Sequence, residues 1–158
     1  YDICGTDDTI GYDSAVNTAL EAIDRIRDIV FSHERIFFVE VMGRQAGILA
    51  LEVGIAAGAE EVFAPEKAAD LETFCRSIRD AFDCGKRGFI VVVGAGDELG
   101  GAQRIGAAVR KDLNLESRVS VLGHIQRGGS PTARDRVVAS RLGVRRWRRF
   151  WEARTGSW

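Results

Sequence analysis

The sequence predicts an α/β fold in which helices cover both faces of a mostly parallel sheet, giving three layers. Helix-like and strand-like stretches alternate along the chain, and such alternation is typical of parallel sheets. The segment GFIVVV at 88–93 is a continuous apolar run, as expected of a strand buried on both of its faces. With 158 residues, the chain has room for one domain with a proper core.

The first half of the chain contains two predicted helix–strand pairs. Asp13 is predicted to cap a helix, because apolar residues follow it at helical spacing. These residues are Val16, Leu20, Ile23, Ile26 and Val30. The β-branched and aromatic segment IFFVEVM at 36–42 predicts a strand. A turn at 43–47 then leads into a helix of small residues that ends near Ala57, and residues 61–65 predict a short strand.

The second half repeats this alternation. Asp70 is predicted to cap a helix that ends at Gly85. The apolar face of that helix consists of Leu71, Phe74, Ile78 and Phe82. After the strand at 88–93, a helix is predicted near 103–112 and a strand over 118–122. The last helix is predicted to run from about Thr132 to Leu142, just after Pro131, because proline is tolerated in a first helical turn.

Composition indicates the class of protein. Hydrophobic residues make up 46% and charged residues 28%, as in soluble globular domains, and the net charge of −1 predicts no nucleic-acid partner. No apolar run approaches membrane-spanning length, so no membrane partner is expected. Cys4, Cys75 and Cys84 show no metal-ligand spacing, so they predict reduced thiols and a cytoplasmic location. Because the chain begins at Tyr1 without a methionine, we expect it to be part of a longer protein.

The most informative stretch is VLGHIQRGGSP at 121–131. A predicted strand ends here in a glycine-rich turn that carries His124 and Arg127, a combination with which α/β proteins hold anions. The alternative is an ordinary loop with a solvated arginine. Two other predicted strands end in turns with glycine, MGR at 42–44 and GAGD at 94–97. Ligands bind at the carboxyl ends of parallel strands, so the two arginine-bearing turns predict a phosphate clamp. The nucleotide-phosphate motifs GxxxxGK[ST] and GxGxxG do not occur.

Five segments together resemble the bacterial ATP-dependent 6-phosphofructokinases, in the family's order and at similar spacing. They are TIGYD at 9–13, SHER at 32–35, EVMGR at 40–44, GAE at 58–60 and the stretch at 121–131. The resemblance covers roughly 2–143 and implies the carboxyl-terminal, fructose 6-phosphate-binding portion of such an enzyme, truncated at both ends. It also implies glycolytic transfer of the γ-phosphoryl group of ATP to this sugar phosphate with Mg²⁺, and a homo-tetramer in the full-length family.

The resemblance assigns substrate-binding residues at the carboxyl ends of two strands. Met42, Gly43 and Arg44 match a turn that contacts the substrate, and Arg44 also matches a residue that stabilises the transferring phosphoryl group. His124 and Arg127 match the pair that holds the sugar 6-phosphate. Several arginines suit this chemistry, because forked N–H donors orient phosphate oxygens.

The resemblance also implies sites between subunits. Arg35 and Arg118 match arginines that reach across an interface to a neighbour's substrate. An allosteric nucleotide site is implied by four residues, Arg27, Gly58, Glu60 and Lys86. Taken one by one, these residues and His124 also have ordinary interpretations, as solvated cations, a loop carboxylate or a hydrogen-bonded structural histidine.

The chain departs from the family in three places. The family's catalytic aspartate would precede Tyr1, and Asp2 is the last aspartate of that motif. The family has a glutamate where this chain has Ala95, and each charge-assisted hydrogen bond lost is worth about 1.5–3 kcal/mol. Asp97 or Glu98 are candidate replacements. The tail at 144–158 is basic and aromatic and differs from the family, so the expected division is a sugar-phosphate-binding portion at 1–143 followed by this tail.

Three interpretations of the tail are open. It is an amphipathic helix that packs on the core, a surface-active or nucleic-acid-touching segment, or the product of a frame-shifted or truncated reading of a longer gene. The third is favoured, because it also explains the absent amino-terminal half.

The sequence therefore predicts a phosphofructokinase fragment that binds sugar phosphate and has no kinase activity of its own, because the catalytic base and the nucleotide site are missing. Two alternatives remain. One is a non-catalytic regulatory or binding subunit of a complete kinase. The other is a pyrophosphate-dependent phosphofructokinase, in which the MGR and HIQRGG segments also occur.

Overall fold

The computed structural model describes residues 5–30, 35–44, 46–67, 70–96 and 101–155. Within these residues, helices and strands alternate as the sequence predicts. The helices are α1 (Tyr12–Val30), α2 (Ile48–Ala57), α3 (Leu71–Asp83), α4 (Ala102–Leu113) and α5 (Ala133–Thr155). The strands are β1 (Arg35–Val41), β2 (Glu61–Phe63), β3 (Gly88–Gly94) and β4 (Ser117–Val121), and a 3₁₀ helix (Gly123–Arg127) follows β4.

The four strands form one parallel sheet in the order β2-β3-β1-β4. In β1, Phe38 pairs with Val91 of β3 on one side and with Val119 of β4 on the other. All seven residues of β3 are buried, as the continuous apolar run predicts. The α/β class with a parallel sheet is thus confirmed.

The side chains of β1 alternate between two cores. Phe37, Val39 and Val41 pack with α1 and α2, whereas Ile36 and Phe38 pack with α3 and α4 on the other face. The Phe38 and Phe74 rings meet edge to face, with their centroids 6.5 Å apart. The sheet therefore lies between two layers of helices, as predicted, with α1 and α2 on one face and α3 and α4 on the other.

Helix ends show where the local prediction holds and where it fails. Asp70 caps α3 as predicted, and its carboxylate accepts a hydrogen bond from the Thr73 N–H at 3.0 Å. Hydrogen bonding by the Thr73 side chain, together with this N–H bond, lowers the pKa of Asp70. The prediction for Asp13 is wrong, because α1 already begins at Tyr12 and Asp13 lies within its first turn.

The end of the last helix also differs from the prediction. Instead of stopping near Leu142, α5 continues to Thr155, so the expected division between 143 and 144 lies inside one continuous helix. Five arginines lie between 143 and 155, with Glu152 and Ala153, and these residue types have high helical propensity. In the part of the chain that the structure describes, no helix is both long and apolar enough to cross a membrane.

Candidate functional site

The carboxyl edge of the sheet brings two of the predicted turns together. The Met42–Arg44 turn follows β1, and the 3₁₀ helix with His124 and Arg127 follows the adjacent β4. The Leu122 N–H donates to the Glu40 carbonyl at 3.0 Å, which holds the ends of the two strands side by side. The parallel pairing therefore places the two arginine-bearing turns next to each other.

Gln126 ties these two turns to a third element. Its side chain is buried, with 1% of its surface exposed. Its Oε1 accepts a hydrogen bond from the Met42 N–H at 2.8 Å, and its Nε2 donates to the Ala15 carbonyl of α1 at 3.4 Å. Because Gln126 lies between His124 and Arg127, its position fixes the 3₁₀ helix against the Met42–Arg44 turn.

The Met42–Arg44 turn has an uncommon backbone. Arg44 has a φ of 55°, in the left-handed region, and its side chain is exposed. The turn closes through the Ala46 N–H, which donates to the Gly43 carbonyl at 3.1 Å. A Cβ at Gly43 would lie 2.4 Å from the Ala46 oxygen, so only glycine fits there. A left-handed residue costs about 1–2 kcal/mol, and such strain is often kept where a side chain has a function.

A cavity of about 290 Å³ lies beside Arg127, where the start of α1, the 3₁₀ helix and the start of α5 meet. Its wall residues are Ile10, Gly11, Ser14, Gln126, Arg127, Gly128, Gly129, Pro131 and Asp135. His124 is exposed and lies on the same short helix as Arg127. The cavity thus borders one of the two side chains that the resemblance assigns to the sugar phosphate.

Asp135 supplies the cap that the sequence assigned to Asp13. Its buried carboxylate accepts hydrogen bonds from the Gly11 N–H at 3.1 Å, the Ser14 N–H at 3.0 Å and the Ser14 hydroxyl at 2.5 Å. Burial raises the pKa of Asp135, but the hydrogen bonds from Ser14 and Gly11 outweigh it, and the pKa lies below its ordinary value. Asp135 therefore joins the start of α1 to the start of α5.

The cross-link at Asp135 was not visible in the sequence. Asp135 is more than 120 positions from its partners, and no local motif connects them. Thr132 offers a partial signal, because it caps α5 by accepting from the Asp135 N–H at 3.3 Å, in the spacing of a capping box. The carboxylate of Asp135 does not complete that box and bonds to α1 instead.

Arg35 and Arg118 lie at the opposite edge of the sheet, near the amino ends of β1 and β4. Glu116 joins them: its Oε2 lies 2.8 Å from the Arg35 Nε, and its Oε1 contacts Arg118. Partial desolvation raises the pKa of Glu116, but the two arginines outweigh it and the net shift is downward. The length of β1, about 20 Å, separates this pair from Arg44, so one chain does not bring them into one site.

The four residues assigned to an allosteric site lie along the same amino edge. The Lys86 Nζ is 2.6 Å from the Glu60 Oε1, and the other oxygen of Glu60 accepts from the Ile90 N–H at 2.5 Å. Arg27 donates to the carbonyl of Ala57, next to Gly58, which ends α2 with a φ of 59°. The structure thus pairs Glu60 with Lys86 and places Arg27 at the end of α2.

Four residues singled out in the sequence contribute no described polar side chain to the site. Asp2, Asp97 and Glu98 lie outside the described residues. Ala95 is described, and its N–H donates to the Val41 carbonyl at 2.8 Å, which leaves only a methyl group at this strand end. Across the described ranges, no group of three or more His, Cys, Asp or Glu side chains is placed to hold a metal ion.

Comparisons with known proteins place these observations in a family. The family model described as "Phosphofructokinase" matches residues 1–149. The chain is 58% identical over 143 residues to ATP-dependent 6-phosphofructokinase 1 of Thermus thermophilus, and 50% identical over 143 residues to the ATP-dependent 6-phosphofructokinase of Bacillus subtilis. In both cases the match covers 90% of this chain and 44% of the relative, so the chain spans less than half the length of these relatives.

Solved structures agree with this placement. The phosphofructokinase of Saccharomyces cerevisiae superposes with a TM-score of 0.84 at 38% identity, over 91% of this chain and 20% of that one. A pyrophosphate-dependent phosphofructokinase from Marinobacter aquaeolei gives a TM-score of 0.63 at 25% identity, over 80% of this chain and 34% of that one. With a family model that matches residues 1–149 and a fold that superposes on a solved phosphofructokinase, the chain belongs to the phosphofructokinase family.

Proposed function

We propose that this chain binds fructose 6-phosphate at the carboxyl edge of β1 and β4, and that the protein functions as an ATP-dependent 6-phosphofructokinase. The observation that carries the proposal is the buried Gln126 side chain, which holds the His124–Arg127 helix against the Met42–Arg44 turn. This link places two cationic elements at one strand edge, where α/β proteins bind ligands.

The chemistry of these side chains suits a sugar phosphate. A phosphate dianion offers several oxygens, and the planar guanidinium of Arg127 donates two parallel N–H bonds to such a group. His124 supplies a further donor from the same short helix. In this proposal, Arg44 faces the end of the sugar at which the phosphoryl group arrives, and its charge stabilises the negative charge of the transferring group.

The relatives favour ATP as the phosphoryl donor. Those that are 50–58% identical carry the name ATP-dependent, whereas the pyrophosphate-dependent structure is 25% identical. Mg²⁺ is assigned to no side chain, because the described residues include no group of three or more His, Cys, Asp or Glu that could hold it. We further propose that the isolated chain does not transfer phosphate. Turnover of ATP and fructose 6-phosphate above background by the isolated chain would refute that statement.

We propose that the amino edge of the sheet serves contacts between subunits in a homo-tetramer in the cytoplasm. Glu116 pairs with both Arg35 and Arg118 and so keeps their guanidinium groups close together at this edge, where a neighbour's sugar phosphate would compete with the Glu116 carboxylate for them. Along the same edge, Arg27, Gly58, Glu60 and Lys86 form the proposed nucleotide effector site. The Glu60–Lys86 pair supports this assignment, because an entering polyanion can recruit Lys86 from its partner.

Replacing Arg127 with alanine should weaken fructose 6-phosphate binding by about tenfold or more, because a charged hydrogen-bond donor to phosphate is worth about 1.5–3 kcal/mol. Titration calorimetry on the 158-residue chain measures the effect. Arg104→Ala, at an exposed position of α4, is the matched control and should leave the dissociation constant unchanged. Equal affinities for the wild type and Arg127→Ala, with equal melting temperatures, would show that Arg127 does not bind the substrate.

A further inference from the structure

The second half of α5 is an exposed amphipathic helix. Every residue from 139 to 154 is exposed. One side carries four large apolar residues, which we call the apolar stripe: Val144, Trp147, Phe150 and Trp151, each between 47% and 60% exposed. The three rings of this stripe contact one another, with centroids 5.7–6.4 Å apart. The stripe therefore forms one continuous surface.

Arginines occupy the other side of this helix. At about 100° per residue, Arg145 and Arg149 lie opposite Trp147, and Arg146 and Arg148 lie at the borders of the apolar stripe. Arg154 lies on the stripe itself, with its guanidinium carbon 5.4 Å from the centroid of the Phe150 ring. The surface is thus apolar on one side and strongly cationic on the other.

The net charge of α5 differs strongly from the net charge of the whole chain. Between 133 and 155 there are eight arginines and two acidic residues, a net charge of +6. Because the complete chain carries −1, the remaining residues carry −7. The whole-chain value averages over this division. The expectation of no membrane partner rested on the lack of an apolar run of spanning length, which a helix lying on a membrane surface does not need.

We propose that residues 144–154 form a membrane-surface helix that binds lipids with anionic headgroups. A helix that is polar in its overall composition, with tryptophan and phenylalanine on one side and arginine on the other, lies in the plane of a bilayer surface. The apolar stripe enters the boundary between headgroups and acyl chains, where indole rings concentrate. The bordering arginines contact lipid phosphates, and each basic residue near an anionic leaflet strengthens binding.

Two other occupants fit the surface less well. A second copy of the same helix would cover the apolar stripe but would bring two segments of charge +6 together. A single-stranded nucleic acid needs aromatic rings and cations on one face, because its bases stack while its phosphates pair. Here most of the arginines lie away from the rings. This favours a lipid bilayer as the partner, because its interior is apolar and its headgroups are anionic.

The tryptophans provide a direct test. The chain has three, at 147, 151 and 158, so all of its tryptophan emission comes from the tail. The chain is titrated with vesicles of phosphatidylcholine alone, or with added phosphatidylglycerol. We expect a blue shift of the emission with the anionic vesicles, a much smaller one with the neutral vesicles, and reversal at about 0.5 M NaCl.

Variants on each side of the helix test the contributions of the arginines and of the apolar stripe separately. The double variant Arg145→Glu and Arg149→Glu should weaken partitioning into anionic vesicles by about tenfold or more. Phe150→Ser should weaken it in both kinds of vesicle, with both tryptophan reporters intact. The matched control is Arg104→Glu with Lys111→Glu, two exposed residues of α4, which should leave partitioning near the wild-type value.

Four outcomes would overturn the proposal. They are no shift with anionic vesicles, equal shifts with neutral and anionic vesicles, a blue shift that grows with protein concentration in the absence of lipid, and an oligothymidylate that displaces the chain from vesicles at equal concentration. The third would indicate self-association, and the fourth a nucleic-acid surface.

Discussion

Asp135→Ala should lower the free energy of unfolding by about 3 kcal/mol. The buried carboxylate accepts three hydrogen bonds, two from backbone N–H groups at the start of α1 and one from the Ser14 hydroxyl. Hydrogen bonds to a charged group contribute about 1.5–3 kcal/mol each, and part is regained when water reaches the freed donors. Urea unfolding followed by circular dichroism measures the change.

Asp13→Ala is the natural control, because Asp13 lies in the first turn of the same helix and was the cap expected from the sequence. It should cost only about 0.3–1 kcal/mol, the value of a carboxylate near a helix N-terminus. Equal losses in the two variants would contradict the assignment of the cap to Asp135.

The effect of Asp135 should depend on pH in a defined direction. The folded-state pKa of Asp135 is lowered, so its contribution is complete above the unfolded-state pKa of about 3.9 and is lost as the pH falls through the folded-state value. The difference in stability between the wild type and Asp135→Ala should therefore be constant above about pH 5 and should shrink below about pH 4. A difference that stays constant to pH 2 would contradict the charged-cap interpretation.

Gln126→Leu should cost about 2 kcal/mol in unfolding free energy. Leucine has a similar volume, so packing changes little, but the Met42 N–H loses its acceptor, and the Ala15 carbonyl keeps only its bond within α1. Each buried polar group left without a hydrogen bond costs about 1–3 kcal/mol. Gln103→Leu, at an exposed position of α4, is the matched control and should change stability by less than about 0.5 kcal/mol.

Gln126→Leu should weaken fructose 6-phosphate binding as well as lower the free energy of unfolding. Once the amide no longer holds the Met42 N–H, the Met42–Arg44 turn and the 3₁₀ helix are free to separate, so calorimetry at a temperature where the variant is folded should show weaker fructose 6-phosphate binding. A destabilised variant with unchanged affinity would show that Gln126 supports the fold and does not position the site.

Sequence reasoning succeeded where the determinant was local. The apolar run of β3 and the Asp70 cap each depend on a few neighbouring residues, and the structure confirms both. The two strand-end turns were expected to meet, because carboxyl ends of parallel strands share one edge. Their neighbouring positions are confirmed by the pairing of β1 with β4.

The determinants that the sequence did not reveal act over long separations. Gln126 and Asp135 bond to partners 84 to 124 positions away, and neither has a spacing that marks it. The predicted end of the last helix near Leu142 is wrong for a different, local reason. Helical propensity continues through the arginines, and the helix continues with it.

The position of β1 in the middle of the sheet has a consequence for biosynthesis. Its partner in β3 lies 53 positions later in the chain and its partner in β4 lies 81 positions later. During translation, the apolar strand 36–41 is therefore made well before its partner residues 117–121, and nonlocal pairing is slow to form. We expect this strand to be prone to aggregate in the nascent chain until β3 and β4 have been made.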